Sequence, residues 1–203
     1  MKTIDLLILI TLLVCGLTSC NKEEKLATEI EGCWIGSTVN EASSRHHRAN
    51  RLGLAPDITL TCDPVFTFIK NENICGGDFS LSAEFRFSFP DVTHTVIPAC
   101  VIAKGSWTTL DNDEVLVSLN PRSVTINIDP AVQSIPYSTI TGTPRTQLDS
   151  ATVNELHNQH PLYLVVERMV KSFHKIKHIK IADQKMSVEI NDNDLSFTRK
   201  TSD

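Results

Sequence analysis

The 203-residue chain has no apolar run of the roughly 20 residues that a membrane-crossing helix needs. It also has no excess of positive charge: 19 Lys and Arg stand against 24 Asp and Glu, for a net charge of −5. That balance argues against a nucleic-acid partner, which calls for a basic face. Catalytic and metal signatures are missing too. There is no Gly-x-Ser-x-Gly nucleophile turn, no His-Glu-x-x-His, and no Cys-x-x-Cys at zinc-ligand spacing. The carboxylates fall in turn-like stretches such as Asp111 to Glu114, not in apolar strands where burial would raise a pKa. His46-His47, His157-x2-His160 and His174-x3-His178 read as solvated side chains. Asn191 to Asp194 lacks the spaced glycine and final glutamate of a calcium loop and reads as a hairpin turn. The expectation is a protein that is not an enzyme and has neither a metal site nor a resident cofactor.

What is present begins at the N-terminus. Lys2 is followed by a short apolar run, Leu6 to Val14, of signal-peptide length. Then come Leu17-Thr18-Ser19-Cys20 and the charged Asn21-Lys22-Glu23-Glu24-Lys25. Leu-Thr-Ser-Cys resembles the lipobox of bacterial lipoproteins. The resemblance implies a diacylglyceryl thioether on Cys20, cleavage before it, and acyl chains that hold the protein to a membrane; several chains together anchor stably. The acidic pair close to Cys20 is similar to the surface-export signal of lipoproteins in Bacteroidota. The implied organisation is a signal peptide over 1–19, a lipidated, solvated tether over 20–29 and one folded domain over 30–203. The implied address is the outer membrane of a cell envelope.

Cys15 leaves with the signal peptide. The remaining cysteines, Cys33, Cys62, Cys75 and Cys100, are even in number. In an exported domain that count predicts two disulfides, with three pairings open.

From Cys33 onward the pattern is mostly strand. In Ala83 to Phe89, Phe85, Phe87 and Phe89 alternate with polar residues, the period of a half-buried strand. Val124, Ile126 and Ile128 alternate again. Asp183-Gln184 and Asn191 to Asp194 punctuate the apolar runs near the C-terminus, which predicts a three-stranded meander there. One region departs from this period. Asp149 or Ser150 can cap a short helix to about His157. Pro161 can open a second helix, in which Leu162, Val165, Val166, Met169, Val170 and Phe173 make one apolar stripe. Two segments, Glu41 to Pro56 and Asp129 to Thr146, read as long loops and as candidate binding surfaces.

Gly32-Cys33-Trp34 opens the domain, and Arg199 lies in its last strand. This pair resembles the lipocalin and calycin signature, in which a tryptophan plugs the closed end of a barrel and a basic side chain stacks over it. A second Gly-x-Trp, Gly105-Ser106-Trp107, is similar to a pattern in lipocalin-like lipoproteins. The implied fold is mainly β: an antiparallel lipocalin-like barrel with a helical insertion before the last strands. An open β-sandwich is the alternative. Two roles follow. One is a small apolar ligand held in the barrel, with Phe85, Phe87 and Phe89 as candidate cavity lining. The other is a lipoprotein that meets another envelope protein, or inhibits one, through its loops.

Overall fold

Alternation sets the long strands. In β3 (Thr59–Lys70), Leu60, Cys62, Phe66 and Phe68 are buried while Thr61, Asp63, Val65 and Thr67 are half-exposed. The computed structural model describes residues 22–42, 58–89, 95–111, 113–131, 135 and 161–201. Its other strands are β1 (Gly32–Gly36), β2 (Val39–Ala42), β4 (Gly76–Phe89), β5 (Thr95–Thr109), β6 (Val115–Leu119), β7 (Thr125–Ile128), β8 (Lys175–Ala182), β9 (Lys185–Ile190) and β10 (Asn193–Arg199). Helix α1 covers 22–30, a 3-10 turn covers Pro121–Ser123, and helix α2 covers Pro161–Ser172.

These strands make eight staves. β1 and β2 lie end to end along β3, and β6 and β7 lie end to end along β5. Each stave pairs antiparallel with its neighbours in sequence. β1 then pairs with both β10 and β3, which closes an eight-stranded up-and-down barrel. The closing ladder sets aside the open sandwich. The Cα register at that closure is Trp34 opposite Arg199 on one side and Phe66 on the other.

The staves are unequal in height. β3, β4 and β5 have 12, 14 and 15 residues, whereas β8, β9 and β10 have 8, 6 and 7. Between β7 and β8 the chain forms α2 instead. Its Leu162, Val165, Val166, Met169 and Val170, with Phe173 just beyond, are all buried in the same core as the strand residues. Glu167 and Lys171 pair at 2.8 Å on its other face. The predicted stripe is thus core packing that completes the short side of the barrel. The two short hairpins of the meander turn on Asp183-Gln184 and Asn191-Asp192. All four residues have positive φ (49°, 64°, 52° and 61°), as a two-residue turn matched to strand twist requires.

Three expectations change. The stretch expected to be a solvated tether over 20–29 is helical from residue 22, and Leu26, Ala27 and Ile30 are buried, so the folded domain starts eight residues earlier than residue 30. Second, no disulfide joins Cys33, Cys62, Cys75 and Cys100. Cys62 points into the barrel from β3, while Cys100 points outward from β5, with β4 between them. Cys33 lies outward on β1 opposite Thr67, and Cys75 lies in the β3–β4 turn on the far side of β3. A disulfide needs Cα atoms within about 7 Å and converging Cβ vectors, and strands and faces keep these cysteines apart. Third, Phe85, Phe87 and Phe89 pack in the core, as described below. The short helix expected over Ser150 to His157 lies outside the described residues.

Candidate functional site

One end of the barrel is closed by α1. Its last carbonyls have no helical partners and must find others. The Trp34 indole donates from Nε1 to the Ile30 carbonyl at 2.7 Å. Arg199 donates from Nη1 to the Glu31 carbonyl at 2.8 Å and from Nη2 to the Glu29 carbonyl. The guanidinium carbon meanwhile sits 4.4 Å from the centre of the Trp34 ring. Two side chains at opposite ends of the sequence therefore take three successive carbonyls and stack on one another. Gly32 enables the turn into β1: its φ is +127°, and a Cβ there would stand 3.3 Å from Arg199 Nη1. The neighbouring rim is tied to α1 by Lys70, whose backbone N donates to Glu31 Oε1 and whose Nζ donates to Thr28 Oγ1, each at 3.4 Å.

Above this plug the interior is aromatic. Phe66 stacks on Phe197 at 4.8 Å and meets Phe79 and Phe173 edge-on at 5.5 and 5.4 Å. Phe68 meets Trp107 edge-on at 5.5 Å, and the Trp107 indole donates to the Ile69 carbonyl at 3.2 Å. Phe85, Phe87 and Phe89 are 0%, 0% and 1% exposed. A ring lining even a water-sized void would keep surface toward it, so protein atoms surround these three. The strands interlock large with small: Phe85 faces Ala99, Leu81 faces Ala103, and Ala83 faces Val101. Near-native packing of this kind leaves the interior around these rings filled.

A concavity lies at the seam between the end of α2, the β9–β10 turn and β2. Val39, Met169, Phe173, Ile190 and Leu195 give it apolar walls, with Ser172, Asn191 and Asn193 at its edge. It is a shallow dent open to solvent, with room for little more than one water molecule, about 20 Å³.

Polar groups gather on the outer wall. Arg86 bridges Asp63 at 2.8 Å and Glu84 at 3.2 Å. Thr38 and the Arg86 guanidinium hold the Asp63 carboxyl below its usual range, against the opposing effect of burial. His178 sits at a bulge in β8 with φ +51°. Its Nδ1 lies 3.4 Å from Asp113 and its Nε2 lies 3.8 Å from Glu189. The two carboxylates address different ring nitrogens, so the three groups cannot converge on one ion. No cluster of three or more His, Cys, Asp or Glu suited to a metal occurs among the described residues. Cys20, the histidines at 46, 47, 157 and 160, and most of both long loops lie outside the described residues.

The sequence reading anticipated the Trp34–Arg199 pair but missed the helix that the pair holds. The signal for α1 was Leu26, Ala27 and Ile30 on one face and Lys25 to Glu29 at i,i+4, an ion pair of 3.6 Å. No protein-family model and no curated protein matches this chain.

Proposed function

We propose that this chain is a lipid-anchored cell-envelope protein, held through Cys20, that recognises another envelope macromolecule through the long connections of its barrel. The observation that carries this reading is the close packing among the described residues inside the barrel: Phe85 and Phe87 have no exposed surface and share one core with α2. The barrel then serves as a rigid scaffold. Connections of five residues or fewer join β3 to β4, β5 to β6 and β8 to β9 at the α1 end. The long stretches between β2 and β3, and between β7 and α2, leave from the opposite end. Loops carried by a rigid frame are the usual place for recognition. A lipobox-like Leu17-Thr18-Ser19-Cys20 supports the anchor.

A second reading, a small apolar ligand, draws on the concavity beside α2, where Met169 and Phe173 form part of an apolar wall. Native mass spectrometry of the full protein released from envelopes in mild detergent separates the two. A chain carrying only the acyl mass on Cys20 supports the first. A stoichiometric apolar molecule that leaves on denaturation replaces it with the second.

A further inference from the structure

The end of the barrel closed by α1 carries exposed apolar groups that its fold does not need. Ile74, in the β3–β4 turn, is 53% exposed, and Leu110, in the β5–β6 turn, is 46% exposed. Ile69, on the outer face at the end of β3, is 54% exposed. The two turns are neighbours: Thr109 N donates to the Cys75 carbonyl at 2.9 Å, and Asn71 N donates to the Gly76 carbonyl at 3.0 Å. Lys70 ties the same rim to α1. The three apolar side chains and α1 therefore share one end of the molecule.

Chain length fixes what can cover that end. Cys20 precedes the first residue of α1 by two positions, which at about 3.6 Å per residue is at most roughly 7 Å of chain. Because α1 is packed into the barrel by Leu26, Ala27 and Ile30, no long linker separates the anchoring residue from the folded body.

We infer that this end is the bilayer-facing surface of the protein, with Ile74 and Leu110 reaching into the headgroup–acyl boundary of a phospholipid leaflet beside the Cys20 acyl chains. This rests on the reading of Cys20 as lipidated. Glu72 and Asp111 flank the two apolar tips, so the attraction is apolar and does not call for anionic lipid. Shallow insertion of a few apolar groups adds to the anchor and fixes orientation as well as attachment. The ends of β2 and β7, from which the long connections leave, then lie at the end of the barrel away from the membrane.

The test uses the full lipidated protein added to vesicles of phosphatidylcholine brominated in its acyl chains, with tryptophan introduced singly as Ile74→Trp, Leu110→Trp and Ile102→Trp. Ile102 is an outer-wall control, 51% exposed and roughly 20 Å along β5 from Thr109 at about 3.3 Å per residue. Intact mass reports the acyl groups in each preparation. The expected result is loss of most of the added emission for both tip variants and little loss for the control, unchanged at high salt. Equal, weak quenching of all three in a protein whose mass includes the acyl groups overturns the inference alone. A mass without acyl groups overturns both the inference and the anchor reading.

Discussion

Arg199 sits over the face of Trp34, its guanidinium carbon 4.4 Å from the ring centre, and donates to the carbonyls of Glu29 and Glu31 on either side of the one that Trp34 takes. The clamp works only because β1 and β10 are register partners. Removing the guanidinium leaves two helix-end carbonyls without their donor and uncovers the indole.

Arg199→Ala should therefore cost about 1–3 kcal/mol of unfolding free energy, combining a charged hydrogen bond with a cation–π contact. Arg199→Lys keeps the charge without the two-pronged fork and should fall between the two. Urea denaturation measures the loss. Hydrogen exchange should show it concentrated in the amides of α1, and an unchanged midpoint for the alanine variant would sink the clamp.

Gly32→Ala tests the same corner from the backbone. At φ +127° an L side chain is strained, and its Cβ would press on Arg199 at 3.3 Å. The expected cost exceeds the ~1 kcal/mol that Gly→Ala can gain at a permissive site, with a net loss in thermal midpoint.

Phe173 joins α2 to the barrel through its edge-on contact with Phe66 at 5.4 Å. Phe173→Ala should cost about 3–5 kcal/mol, as buried phenylalanines do. Phe173→Leu should lose much less. Equal midpoints for the alanine variant and the parent would show that α2 does not brace the barrel.

The cysteines give a mass prediction. Protein denatured without reductant should show no mass deficit from bonds among Cys33, Cys62, Cys75 and Cys100. In the native protein, an alkylating reagent should modify exposed Cys100 well before buried Cys62. A mass two or four hydrogens light would contradict the arrangement of these residues on their strands.

Asp63 supplies a pH prediction. Its folded-state pKa is lowered from the ordinary 3.8 by Thr38 and Arg86. A depressed carboxyl contributes stability that is fully present above the unfolded value and is lost as pH falls through the folded one. The stability gap between the parent and Asp63→Asn should be widest near neutrality and narrow below about pH 4. Denaturant titrations at several pH values check it, and a gap that widens in acid would reverse the assignment.

The parts that the sequence disclosed are those with a short period. Phe85, Phe87 and Phe89 announced a strand and its inward face, the α2 stripe announced a helix, and Asp183-Gln184 announced a turn. Alternation says which side faces in, but not whether the interior is full, so the same pattern fits three rings that line a cavity and three that pack a core. An even number of cysteines carries no information about faces, which is why pairing looked natural and the strands forbid it. α1 was hidden because Lys22 to Lys25 dominate the local charge, while its apolar face is only Leu26, Ala27 and Ile30.

The hydrogen bond from Arg199 to Glu31 spans 168 residues, and the ladder that seals the barrel joins its first stave to its last. Synthesis delivers Trp34 long before Arg199, so the ring cannot shut until β10 is available. Such distant pairing makes for slow folding. Until it happens β1 and β9 each present an open edge, the kind of surface on which nascent chains stick to one another. Timing, as much as stability, therefore depends on β10, and a chain cut before Asn193 would leave that ring unsealed.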